Sequence, residues 1–228
     1  MFGLGKKRGI VVPHLGKKLV FSNEPYGPDD YAELVKQIEN EGLLGPKISE
    51  LASLFYVSFK EPDKENSQIV LNLWKESRLT AFTTMLCVPK KGMFIQDYPL
   101  IENKKIIMRE KELESRLGFE KKGVHYSDDR SVKFIPIDLL SQERCLIALI
   151  GEENTDRFAK IFNKYHVKLS YLECNQIDEP SIKYLSLFNL VPTNFKTKGR
   201  LDTNIHITGV FPDRQGYTFG KYDENSDS

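Results

Sequence analysis

Thr80 to Tyr98 reads TAFTTMLCVPKKGMFIQDY, and this stretch decides the fold class. Its first limb, Thr80 to Val88, is rich in β-branched and aromatic residues, which suit a pleated, largely buried surface. Its second limb, Met93 to Tyr98, alternates, and Pro89, Lys90, Lys91 and Gly92 between the limbs are turn residues. Two strand-like limbs around a short turn predict a β-hairpin.

Upstream of the hairpin the apolar period lengthens to that of a helix. Tyr31, Leu34, Val35 and Ile38 fall on one face, with Asp29 or Asp30 placed to accept the first free N–H groups and Gly42 placed to stop the helix. Ile48, Leu51, Ala52 and Phe55 mark a second helix after Gly45 and Pro46. Ile69, Val70, Leu73 and Trp74 mark a third, opened by Ser67 after the charged connection from Glu61 to Asn66. Earlier still, Ile10 to Ser22 reads as a strand pair bent at Pro13 to Gly16. Asn23 to Pro28, with two prolines and a glycine, reads as a loop.

Downstream, Ile106 to Met108 favours a strand and Arg109 to Leu117 a short charged helix that Gly118 ends. Val124 to Tyr126 and Val132 to Ile137 are expected to form a second hairpin. Leu146 to Ile150 reads as a buried strand broken by Gly151. A helix follows, capped by Asn154 or Thr155 and burying Phe158, Ile161, Phe162 and Tyr165, and then a strand from Val167 to Leu172. Strand, helix and strand at this spacing predict a right-handed parallel βαβ unit. A short helix at Ile182 to Phe188, a strand from Leu201 to Val210 and a last strand from Tyr217 to Tyr222 complete the reading. The expected fold is α+β: a mixed, mainly antiparallel sheet with one βαβ unit and an N-terminal helical region. A single compact domain over residues 1–228 is expected, with a composition shift near residues 118–123 as the place for any sub-lobe boundary.

The bulk numbers exclude several classes. Apolar residues make up 40% of the 228 and charged residues 29%, which rules out collagen, low-complexity disorder and a disulfide-dense scaffold. Apolar runs such as Leu146 to Ile150 are far short of the ~20 residues that span a bilayer, and Ile10 to Val12 is too short for a signal-peptide core. Cys87, Cys145 and Cys174 are widely spaced without a CxxC pair, as buried thiols in a reducing compartment would be. These features predict a soluble cytoplasmic protein without a membrane partner.

Net charge is +1, yet Lys6, Lys7, Arg8, Lys17 and Lys18 all precede the first acidic residue, Glu24. Such a cluster can follow a phosphate backbone or act as a solvated end. The three helices and the hairpin resemble, in outline, winged helix-turn-helix proteins, with Ile48-Ser49-Glu50-Leu51-Ala52 in the place of their second helix. That resemblance covers about a third of the chain and implies a nucleic-acid partner, with Gln68 and Asn72 facing bases and Lys75 and Arg78 facing phosphates. The interval from Ser58 to Asn66 is longer than that family's turn.

Two other groups bear on chemistry. Asp97, Asp128, Asp129, Glu152 and Glu153 are candidate Mg²⁺ ligands if they converge, and equally turn and helix-start residues that cap backbone donors. In the late strand Asp202, Asn204, His206 and Thr208 share one face; Asp202 and His206 are the candidate catalytic pair, with His206 as proton carrier, or else part of a wet sheet surface. No phosphate-loop GxxxxGK[ST], zinc HExxH or nucleophile GxSxG motif is present, and no motif names a cofactor. A binding or interaction protein, for a nucleic acid, another anionic partner or a protein, is the expected function. The alternative is a motif-less enzyme, such as one doing Mg²⁺-dependent phosphate chemistry in a carboxylate cleft.

Overall fold

The first described elements are a hairpin, β1 (Gly9–His14) and β2 (Lys17–Asp29), in a computed structural model. It describes residues 9–117, 124–127, 134–135, 137–165, 168–171, 179–189, 204–210 and 215–223. Leu15 and Gly16 at the turn both take positive φ, 47° and 76°. That is the type I′ geometry, whose twist matches the flanking strands. Three helices follow, α1 (Tyr31–Asn40), α2 (Ile48–Lys60) and α3 (Glu65–Glu76). Asp30 caps α1 as expected, its carboxylate accepting the Glu33 N–H at 3.0 Å.

The expected hairpin is β3 (Arg78–Val88) and β4 (Gly92–Asp97), antiparallel, with Val88 opposite Gly92. A small hairpin, β5 (Leu100–Glu102) and β6 (Lys105–Ile107), leads to the short helix α4 (Glu110–Glu114). Beyond it lie β7 (Val124–Ser127), β8 (Phe134–Ile135) and a 3-10 turn at Ile137–Gln142. Helices α5 (Arg144–Ile150) and α6 (Glu152–Tyr165) precede the closing strands β9 (Lys168–Tyr171), β10 (Ser181–Asn189), β11 (Asn204–Val210) and β12 (Gly216–Lys221).

The large sheet runs β1-β2-β12-β3-β10-β11-β9-β8, with β4 on β3 and β7 on β4. Its ladders are antiparallel except β9 with β11 and β12 with β3, so the fold is α+β with a mixed, mainly antiparallel sheet. Strand β10 occupies one edge of β3 along its length. The other edge is divided: Leu79 meets Tyr217 of β12, whereas Thr83 to Val88 meet β4. The sheet therefore forks at Phe82, whose N–H bonds to Pro46 O at 2.7 Å and whose carbonyl accepts the Tyr98 N–H at 2.8 Å.

Alternation along β3 sends its side chains into two cores. Leu79, Ala81, Met85 and Cys87 pack with α2, α3, α5 and α6 around Phe55, Trp74 and Phe158. Phe55 meets Trp74 edge-on at 5.1 Å between ring centroids, a favoured aromatic arrangement. On the opposite face Phe82 packs with Leu34 and Ile38 of α1, while Leu86 and Val88 pack with Tyr31, Phe94 and Leu113.

Several local expectations are corrected. Leu146 to Ile150 lies in α5, and the strand before the helix pair is β8, antiparallel to β9, so the parallel βαβ unit does not form there. A short all-apolar run carries no period to separate helix from strand. Ile182 to Phe188 lies in β10, between β3 and β11, instead of a helix. The expected loop from Asn23 to Pro28 continues β2. Its described pairing there is with β12, where Pro25 lies opposite Phe219 and Tyr26 opposite Thr218. Among the described residues Val124 to Tyr126 pairs with β4 and β8 with β9, in place of the hairpin expected between them.

The winged outline is corrected as well. Helix α2 ends at Lys60 and α3 begins at Glu65, a closer junction than expected, but β3 and β4 are buried inside the large sheet and do not project as a wing. Gln68, Asn72 and Lys75 lie exposed on α3.

Candidate functional site

The fork in the sheet opens a cleft of about 510 Å³ between α1 and the β5–β6 hairpin, a volume in the range of ligand pockets. Ala32, Val35, Leu100 and Ile101 face each other across it, above Phe82. Leu100 is 56% exposed and Tyr98 is 43% exposed, so the walls are apolar and open. The floor is close-packed: a Cβ on Gly45 would come within 2.1 Å of the Phe82 ring.

Tyr98 carries the most specific geometry. Its φ is 48°, a left-handed conformation that bulky residues avoid and that persists only when surroundings impose it. Three contacts impose it here. The N–H bonds to Phe82 O, the hydroxyl donates to Gly45 O at 3.0 Å, and Lys47 Nζ stands 5.7 Å from the ring centroid. Burial, with Glu50 and Asp97 nearby, pushes the Tyr98 hydroxyl well above the ordinary phenol range, and burial does the same to Tyr31. Both hydroxyls stay neutral at physiological pH.

The cleft mouth is crossed by charge. Glu33 on α1 accepts from Lys36 at 2.8 Å and from Lys104 of the β5–β6 turn at 2.9 Å. Asn103 and Lys104 both take positive φ, 50° and 63°, the type I′ geometry of a two-residue hairpin turn. The two lysines hold the Glu33 carboxyl down at about 2.

A second polar cluster lies beneath the β1–β2 turn. The His14 Nδ1 is 2.8 Å from Ser53 Oγ, and Ser53 donates to Asn154 Oδ1 at 2.9 Å. Asn154 Nδ2 donates to the carbonyls of Ser49 and Ile150 at 2.7 and 3.0 Å. Beside them Lys221 and Glu50 form a buried ion pair at 2.6 Å. Burial lowers the His14 pKa, against the opposing pull of Glu50 and Glu153.

The residues singled out from the sequence are scattered among these features. Asp97 accepts from Thr83 Oγ1 at 2.7 Å and pairs with Lys47 at 3.1 Å, while Thr83 Oγ1 also accepts the Ile48 N–H. Its carboxylate thus fastens the start of α2 to the sheet. Glu152 is exposed in the first turn of α6, and Glu153 binds the Leu15 N–H and Arg157. Asp128, Asp129 and Asp202 lie outside the described residues, and His206 stands in β11 opposite Phe188 and Ser170. Among the described residues no three His, Cys, Asp or Glu side chains are grouped to hold a metal ion. Lys17 and Lys18 are exposed at the start of β2, and Lys6, Lys7 and Arg8 lie outside the described residues. No helix among the described residues is long and apolar enough to cross a membrane. Cys87 is a buried thiol. Sequence reasoning missed His14, although its alternation with Ile10 and Val12 places it on the inward face of β1.

Neither a family model nor a curated protein matches the chain. A solved structure described as "Accommodation of massive sequence variation in Nanoarchaeota by the C-type lectin fold" is similar in shape. The match covers 87% of this chain and 96% of that one, with a TM-score of 0.53 and 15% sequence identity. At that identity the likeness shows the fold: this α+β chain has a C-type lectin-like neighbour.

Proposed function

We propose that this chain is a binding protein that takes an apolar or aromatic group, from a small molecule or a partner's side chain, into the cleft between α1 and the β5–β6 hairpin. The observation that carries the reading is Tyr98, a half-exposed aromatic held at positive φ by three separate contacts beside an open apolar wall. Backbone strain of this kind gathers at ligand clamps, where the surrounding structure is arranged to hold it. The similar fold is described as accommodating massive sequence variation. In this chain the division would be between a sheet that supplies the framework and wall residues, such as Leu100 and Ile101, that set what is bound.

An amide-resolved NMR titration with indole as the probe tests this. Shifts should concentrate at Ala32, Val35, Ile101 and Lys104. Leu100→Glu, which alters an exposed wall, should weaken the probe about tenfold, the order expected for losing one apolar contact surface. If the cleft amides stay still while a polyanion titration moves those of Lys17 and Lys18, the cleft reading fails and the cations at the chain's start carry the binding instead.

A further inference from the structure

The side-chain cluster under the β1–β2 turn has a definite proton arrangement. Both hydrogens of the Asn154 amide nitrogen point at carbonyls, of Ser49 and Ile150, so its Oδ1 faces Ser53 and can only accept. The single hydroxyl hydrogen of Ser53 is therefore spent on Asn154. Ser53 Oγ must accept from His14, which places the imidazole proton on Nδ1 and leaves Nε2 as the position for a second. All three side chains are buried, and they belong to β1, α2 and α6.

The charges facing His14 are already matched. Glu50 of α2 holds Lys221 of β12 and accepts the Lys47 N–H at 2.8 Å. Glu153 of α6 holds Arg157 and accepts the Leu15 N–H at 3.1 Å. Lys17 is the cross-strand neighbour of His14 within the hairpin. A proton added at Nε2 would be a surplus positive charge in a buried site whose two carboxylates each have a cation, and burial penalises it. The element held here also carries strain of its own, since Leu15 is an exposed side chain at φ 47°.

We propose that the His14–Ser53–Asn154 chain is an acid-released latch that pins the tip of the β1–β2 hairpin onto α2 and α6. Above about pH 6.5 the ring is neutral in both the docked and the released tip, and the latch is at full strength. As pH falls below that value the released tip takes up a proton that the docked one resists. Docking weakens about tenfold per pH unit until the docked ring itself titrates.

Hydrogen exchange of the His14, Leu15 and Lys17 amides, corrected for intrinsic rate and referred to the β3 and β4 amides, reads this between pH 7.5 and 5. The hairpin-tip amides should lose protection, by up to about tenfold per pH unit, from 6.5 down to the midpoint of the docked ring, while β3 and β4 hold theirs. His14→Asn keeps an N–H donor near the Nδ1 position without a titrating ring, so its profile should be flat. PH-independent protection in the native chain, or an equal loss in the variant, overturns the latch. Should the variant fail to fold, NMR titration of the native ring decides. A ring midpoint below 6.5, with tip protection falling only from 6.5 down to it, supports the latch, and a ring midpoint at or above 6.5 removes it.

Discussion

Glu50 and Lys221 are buried and paired at 2.6 Å. Lys221→Met would leave the Glu50 carboxylate in a dry site with the Lys47 N–H still donating to it but no cation beside it. The expected cost is about 3–5 kcal/mol, read from urea denaturation. Replacing both residues by apolar ones should cost much less than the sum of the single changes. A single-variant cost below about 1 kcal/mol would mean that water reaches the pair. At this scale sequence and structure diverged most at histidine. His206 draws attention because its strand alternates with polar neighbours, whereas among the histidines whose side chains are described the buried, bonded one is His14, placed inward beside Ile10 and Val12. The alternation in β1 was legible, but the hydrogen-bond partner of His14, Ser53, lies 39 residues away and the acceptor of Ser53, Asn154, lies 101 further on, and no local pattern announces them.

Elements with a strong period followed from the residues alone. The stripes of α1, α2 and α3 and the turn at Pro89 to Gly92 all formed as read, because each segment's own preference agreed with its burial. Leu146 to Ile150 and Ile182 to Phe188 were misread because both are covered on several sides, which erases the contrast that marks a face. The β1–β2 turn offers a direct test of element chemistry. Leu15 occupies a left-handed position before Gly16, with its side chain 60% exposed and little packing to lose. Leu15→Asn would create the Asn-Gly pair that type I′ turns favour while keeping the backbone N–H that Glu153 accepts. A gain of about 1 kcal/mol is expected, seen as a higher Tm. An unchanged or lower Tm would show that the Leu15 side chain contributes packing after all.

At the scale of the whole molecule β3 is the axis, paired with β10 on one edge and with β12 and β4 on the other, and packed on both faces. Cys87 sits within it as a buried thiol. With Cys145 and Cys174 replaced by serine, Cys87 should react with a thiol reagent only as fast as global unfolding exposes it, so the opening free energy from labelling should equal that from denaturant. Fast labelling under native conditions would show that the centre of the sheet opens on its own.

The amino-acid sequence by itself determined the α+β class, the leading helices and the central hairpin, because periodicity and turn chemistry act over a few neighbouring residues. Tertiary structure alone decided the fork at Phe82, the cleft that Tyr98 and the β5–β6 hairpin form beside it, and the joining of His14, Ser53 and Asn154. Those depend on which strand takes which edge of β3, and edge pairing is settled by burying two cores at once, a condition that no single segment carries.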